Sequence, residues 1–578
     1  MLFLVIIPVL VWLQTSTSAL LLATAGEGLS IPNFVSDQEK QSRAAEVQAL
    51  ASQIVNEKRT WRIGQVDFPF YDGPVARPGS LAARIQQEEV AQLDEFANPD
   101  SFALYELVMQ SKFDTLADYA TFYDKATRFA PRPVSTDISD ESFGYQRTTT
   151  KGFSLRAFRA ESDSLPSDPA LDNGANIATI CGANHTNLAS IEASKSLFVS
   201  DFSDFAQWSD PNKTGVKFIA AVVAFYCFNE DANKLLPLAI RIVDTNVTYT
   251  PFDKSEEWTL AKMAVDAAEV TFQQMQHFAD THAIFVPLRV EVMRNLALKH
   301  PVSALLLRTS NLDLGIEKLA AKVLLNESTP LDLTFGFGAV GCFRYFDQML
   351  QLLSLENTFA ADIKSRGLEN LPIYKYATYG TLYFDAVLSM VQGYLKVYYP
   401  SDQAVAEDSE LQNWAKSCAA VMQLRGFPHQ LTSLRQLQQV LTHILFQTFV
   451  RHHAMNGATS WDSVSVPYST PALWKKLPTR KLAEGETLNI LDYSIPKQQL
   501  PMIVVLSLTF RRHVPDSESL FSLFRVAPFS DELKLAKVIG DFERSLTSID
   551  TRIVAAEEKE KWPYHILRPA MLARYGWV

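Results

Sequence analysis

The chain has 578 residues, 47% of them hydrophobic and 11% aromatic, with four cysteines and a formal net charge of −11. A core of that size suits one large catalytic unit with an extension. With 64 acidic against 53 basic residues, the composition excludes a nucleic-acid binder working through net positive charge.

Met1 to Leu13 is an uncharged apolar run followed by small and hydroxylated residues, which reads as a secretory signal peptide cleaved after Ala19 or Ala25. Four acceptor sequons, at Asn184, Asn212, Asn246 and Asn326, agree with export. Residues 26–150 form a mainly helical lead-in. Helical spacing over 42–55, 80–96 and 101–129 is broken by clusters such as Phe68-Pro69-Phe70 and Pro131-Arg132-Pro133. A polar, turn-rich crossing over 150–195 leads to three strand candidates at 196–201, 216–228 and 235–243. The turn Asn229-Glu230-Asp231-Ala232-Asn233 joins the last two, and a small antiparallel sheet is expected.

From Trp258 onward the pattern is helical, with periodic stretches at 258–300, 311–327, 336–356, 378–399, 408–424 and 432–457. Prolines cluster over 467–501, and a last helix at 531–561 leads into an apolar, aromatic tail ending Tyr575-Gly576-Trp577-Val578. Of the cysteines, Cys227 and Cys342 lie in apolar surroundings that suit buried thiols; Cys181 and Cys418 complete the set, and three pairings are open.

Five of the ten histidines fall in two windows: His277, His282 and His300 in one, His452 and His453 in the other. Singly, each reads as a core histidine. Residues five apart on an ideal helix diverge by about 140°, so His277 and His282 share a face only if the helix carries a π-bulge with i to i+5 hydrogen bonds. His452 and Asn456, four apart, share a face without one. Such a pair could bind one metal ion. The absence of His-Glu-x-x-His leaves a zinc peptidase without its general base.

Trp258-Thr259-Leu260-Ala261-Lys262, Gln273, His277-x4-His282-Ala283, Arg289, His300-Pro301 and His452-x3-Asn456 together resemble the signature of lipoxygenases. Ser196-Leu197-Phe198-Val199 and Leu236-Pro237-Leu238-Ala239-Ile240 resemble that family's segments before the metal helix. The resemblance covers about residue 150 to the end. It implies a mainly α fold: a large helical catalytic domain, 151–578, with the small sheet and the lead-in 26–150 packed on it; the N-terminal β-barrel of the family's plant and animal members has no counterpart in the sequence, so no β-barrel domain is expected.

The resemblance further implies His277, His282, His452, Asn456 and the terminal carboxylate of Val578 as metal ligands, with Gln273 behind them. Lys318 to Leu325 resembles the arched helix of the substrate channel, which places Ala320, Leu324, Leu325 and Leu331 at the pocket. Ala rather than Gly at 320 goes with S products. No side-chain acid or base is expected: the metal(III) hydroxide takes a hydrogen from the doubly allylic carbon, and dioxygen adds on the opposite face. The implied activity is a secreted linoleate lipoxygenase acting on C18 polyunsaturated acids, linoleic and linolenic, to give S-hydroperoxides. The alternatives are conversion of hydroperoxides to epoxy alcohols or ketones, and a non-catalytic secreted lipid binder.

Secretion, the lack of a β-barrel, the sequons and a final Val resemble the secreted fungal manganese enzymes, so one Mn ion is expected, with Fe the alternative. Asn184, Asn212 and Asn246 are expected to carry glycans, and Asn326 to be buried and bare. Lys497, Arg511 and Arg512 are candidate partners for the substrate carboxylate. Two departures stand out: Thr459 occupies the position where many members carry Gln, and Arg574-Tyr575-Gly576-Trp577-Val578 matches the usual tail only in its last apolar residue.

Overall fold

The computed structural model describes residues 28–576 apart from 55–57, 64–65, 72–78, 96–99, 210–216, 460 and 511–513. The expected signal peptide, Asn212, Arg511, Arg512 and Val578 therefore lie outside the described residues. The lead-in comprises α1 (Asp37–Gln53), β1 (Lys58–Ile63), β2 (Val66–Tyr71), α2 (Leu81–Glu95), α3 (Asp100–Gln110), α4 (Leu116–Ala126) and α5 (Asp140–Thr148). The helix expected over 101–129 is split because Thr115 starts a new one. Its hydroxyl accepts from the Asp118 N–H, while the Asp118 carboxylate accepts back from Thr115.

The β1–β2 hairpin adds a short ribbon to the otherwise helical lead-in. Pro69, taken as a break, pairs opposite Thr60. A two-stranded ribbon has an outer edge on each strand, where a missing N–H is tolerated.

Five antiparallel strands follow in sequential order: β3 (Arg156–Ala157), β4 (Leu197–Phe202), β5 (Val222–Asn229), β6 (Lys234–Ile242) and β7 (Val247–Tyr249). The three central strands are the expected ones; the two outer strands are too short to show a period of their own. Cys181 and Cys227 form a disulfide, Cα–Cα 5.4 Å, tying the helix over 174–181 to β5. Cys227 is thus not the free thiol its apolar surroundings suggested, whereas Cys342 and Cys418 are buried thiols.

The helical body consists of α6 (Ser255–His277), α7 (Ala283–Asn295), α8 (Pro301–Thr309), α9 (Asp313–Val323), α10 (Gly338–Leu352), α11 (Lys375–Tyr398), α12 (Ser409–Ala419), α13 (Leu434–Phe446), α14 (His452–Thr459), α15 (Leu500–Phe510) and α16 (Ala536–Glu557). Helix α15 was hidden in the proline cluster, because Pro501 sits in its first turn, where no N–H is needed. Helix α6 is buried around most of its circumference, as expected of an axis inside a large core. That core also takes in Leu29, Ile31, Ile54 and Ile85, so the lead-in packs on the body.

Helix α2 lies along α9, and Gly315 permits the approach: a Cβ there would sit 2.5 Å from the Glu89 Cβ. The buried Glu89 carboxylate accepts from the N–H groups of Leu312 (3.1 Å) and Gly315 (2.8 Å) and pairs with Arg289 at 2.6 Å. An acid from the lead-in thus satisfies amides at the positive end of α9, where Leu312 holds a left-handed φ of 71°. No described helix is long and apolar enough to cross a membrane.

Candidate metal centre

Between α6 and α7 the chain forms a π-helical turn, Phe278–His282, at the predicted position. Thr281 donates its hydroxyl to the His277 carbonyl at 2.6 Å. Pro287, inside α7, has no N–H to give the preceding turn, which loosens the α ladder just beyond the bulge. The wider turn puts both histidines on one face, with ring centroids 4.8 Å apart.

A second π-helical turn, Gln447–Arg451, precedes α14 and delivers His452 to the same point. Its ring lies 4.8 Å from that of His277 and 5.0 Å from that of His282. Ligand nitrogens of all three fall within 4.8 Å of one another, and the Nε2 atoms of His282 and His452 are 3.2 Å apart. Two nitrogens each about 2.1 Å from one ion at right angles would be about 3.0 Å apart.

All three rings are buried. Burial holds His277 and His452 well below the ordinary histidine range and brings His282 down to about 4. They are neutral at physiological pH, the state in which imidazole binds metal. Both nitrogens of His277 and the Nδ1 atoms of His282 and His452 have no hydrogen-bond partner among the described residues. Buried orphan nitrogens carry a desolvation penalty that a bound cation removes. The donor set therefore fits a metal ion.

Asn456 is buried one turn after His452 on α14. Gln273 donates its amide to the carbonyls of Thr150 (2.9 Å) and Met455 (3.0 Å), so it braces the backbone beside Asn456. Ala573 donates its N–H to His453 Nε2 at 3.1 Å, Tyr575 is fully buried, and a Cβ at Gly576 would meet the Phe285 ring at 3.0 Å. The tail thus runs inward beside the residues next to the histidine cluster.

The Lipoxygenase family model matches residues 194–566, well over half of the sequence. The chain belongs to the lipoxygenase family. It is 26% identical over 539 residues to a manganese lipoxygenase of Colletotrichum gloeosporioides, covering 89% of this chain and 86% of that one. A manganese lipoxygenase of Fusarium oxysporum is 27% identical over 441 residues, with 72% and 70% covered. Among solved structures, one titled manganese lipoxygenase superposes with a TM-score of 0.80 at 21% identity, over 95% of this chain and all of the other. As a lipoxygenase the protein is a non-haem metal dioxygenase with fatty acid and dioxygen as substrates.

The structure of this lipoxygenase draws the expected pocket residues together at the end of α9. Leu324 and Leu325 both donate their N–H to the Ala320 carbonyl, and Leu331 donates to Leu324 at 3.0 Å. Leu325 and Leu331 are buried; Ala320 and Leu324 are half-buried against the main core. Asn326 is half-buried rather than buried, because it sits in the turn after α9 with its side chain accepting from Glu327. Asn184 and Asn246 are exposed. His300 is no ligand: its Nδ1 accepts from Val302 to start α8, and its Nε2 lies 3.0 Å from Asp408. Lys497 pairs with Asp114 at the surface.

Two features escaped the sequence reading. The aromatic wall of the site is made by Phe278 and Phe285, with ring centroids 5.7 and 6.3 Å from that of His282. Their spacing to the histidines could have found them. Behind Phe285 is a void of only about 10 Å³, no larger than one water molecule, bordered by Leu288, Leu306 and Ile444. The second feature is a buried ion pair between Asp280 and Arg451, one residue from each π turn. No local pattern marks it, because its partners are 171 residues apart.

Proposed function

We propose that this lipoxygenase is a secreted manganese enzyme that oxygenates free C18 polyunsaturated fatty acids, linoleic and linolenic acid, to S-hydroperoxides. The observation that carries the reading is the convergence of three buried, neutral histidines with orphan nitrogens. His277, His282, His452, Asn456 and the carboxylate of Val578 would hold the ion; the inward path of residues 573–576 supports the last. When bound, the metal supplies a one-electron oxidant coupled to a proton acceptor, which is the chemistry needed to break a doubly allylic C–H bond.

The chain's own residues do the positioning. Phe278 and Phe285 present an apolar wall that keeps water from the reacting carbon. Leu324, with Ala320 one turn before it, would clamp the pentadiene opposite the centre, and Leu325 and Leu331 would back it. A small side chain at 320 leaves dioxygen the face that gives S products. Residues 26–150 would serve as an extension bracing a catalytic domain over 151–578. The Cys181–Cys227 disulfide and the exposed Asn184 and Asn246 suit an oxidising, extracellular setting, with glycans at these two and at Asn212.

Purified protein is to be assayed for metal content and incubated with linoleic acid under ample oxygen. The expected result is near-stoichiometric Mn, a rise in conjugated-diene absorbance, and an S-hydroperoxide by chiral chromatography. Iron alone would refute the metal assignment. Absorbance that stays flat with metal present would refute the activity, and epoxy alcohols as the first product would redirect it.

A further inference from the structure

We propose that the Asp280–Arg451 ion pair is the positioning device that sets the spacing of the two histidine-bearing helices, and through it the affinity of the centre for its metal. The inference rests on the reading of His277, His282 and His452 as metal ligands. Asp280 lies inside the first π turn, between His277 and His282; Arg451 is the last residue of the second, immediately before His452. The side chains are 3% and 9% exposed. Arg451 Nε donates to Asp280 Oδ2 at 2.8 Å and Nη2 donates to the same oxygen, while Gln276 donates to Asp280 Oδ1. The other arm of Arg451 reaches Asp362 Oδ2 at 3.4 Å, and Asp362 is itself paired with Arg366 at 2.9 Å.

Three arguments assign the pair to placement rather than to stability. A buried ion pair gains little over apolar residues of similar volume, because desolvation offsets most of the attraction, so the pair is better suited to fixing register than to adding stability. The network is also neutral, with two guanidinium groups facing two carboxylates, so it imposes no net charge on the cation site. Finally, the second π turn contains no pair of histidines to align. Consecutive helix residues diverge by about 100°, and the wide turn before His452 lets Arg451 reach across to Asp280 in the first π turn while its neighbour joins the histidine cluster. One strap thus spans the two π turns beside the ligands they carry.

The test uses full-length protein and Mn(II) binding measured by competition with a chelator, together with the electron paramagnetic resonance spectrum of the bound ion. In the paired variant Asp280→Leu/Arg451→Met, the apolar pair preserves volume. The expected result is a thermal midpoint close to the parent's, Mn affinity about tenfold or more weaker, and a broadened spectrum. Parental affinity and spectrum would overturn the proposal. If the paired variant does not fold, Asp280→Asn decides, since it is nearly isosteric: a tenfold loss of affinity supports the proposal, and no loss overturns it. Failure of the parent itself to bind Mn would instead sink the metal-centre reading.

Discussion

Replacing Glu89 by Gln separates the anchoring of α9 from its own sequence. The carboxylate is buried, pairs with Arg289 at 2.6 Å and accepts from the amides of Leu312 and Gly315. Removing one partner of a buried ion pair costs about 3–5 kcal/mol, because the remaining charge stays desolvated. The lower end applies here: Arg289 keeps its hydrogen bond to the Ser310 carbonyl at 2.8 Å, and Asp313 lies near enough to interact with it. At about 2.1 cal/mol/K per residue, a chain of this length unfolds with an entropy of about 1.2 kcal/mol/K, so 3 kcal/mol lowers the midpoint by about 2–3 °C. Scanning calorimetry reads that shift, and hydrogen exchange reads its location as faster exchange at Leu312 and Gly315. A midpoint within about half a degree of the parent's, with unchanged exchange at those two amides, would refute the account of Glu89 as the anchor.

Appending a Gly-Ser segment after Val578 moves the terminal carboxylate away from the site, and metal content after dialysis should fall well below the parent's; full occupancy would remove Val578 from the ligand set. Exchanging Cys181 and Cys227 for Ser opens a disulfide with a sequence separation of 46, which should cost about 4 kcal/mol of stability, seen as a lower denaturation midpoint that reductant no longer changes. Burial pushes the Glu269 carboxyl up to about 7, against the opposing pull of Arg147. The native state therefore binds more protons than the unfolded state between the usual carboxylate range and that value, and stability from this group is lost as pH rises through the interval. Glu269→Gln should flatten the decline between about pH 4.5 and 7, and an identical pH profile would contradict the assignment.

The parts of this centre that are legible in the sequence are those fixed by local spacing. A five-residue interval between His277 and His282 demands a bulge, and the four-residue interval from His452 to Asn456 needs none. The turn over Gln447–Arg451 has no such signature, because the group it serves, Asp280, is brought to it only by the packing of α6 against α14. The disulfide was hidden for the same reason: Cys227 alternates into an apolar strand face, and only the fold brings Cys181 to it. Pro69 and Pro501 both suggest breaks, yet one lies in a ribbon strand and the other in a helix's first turn, both places where a missing N–H costs little. The sheet and most helices were readable because one face of each is buried and the period shows it.

The bond from Ala573 to His453 also bears on how the protein is made. The two residues are 120 positions apart, and Ala573 and Tyr575 pack with Leu312 and Ile316 of the α9 region. At elongation rates of about 5–20 residues per second, a ribosome that has just completed His453 needs roughly 6–24 s to produce the segment that docks there. During that interval His453 has been made but the backbone amide of Ala573 that it accepts from has not.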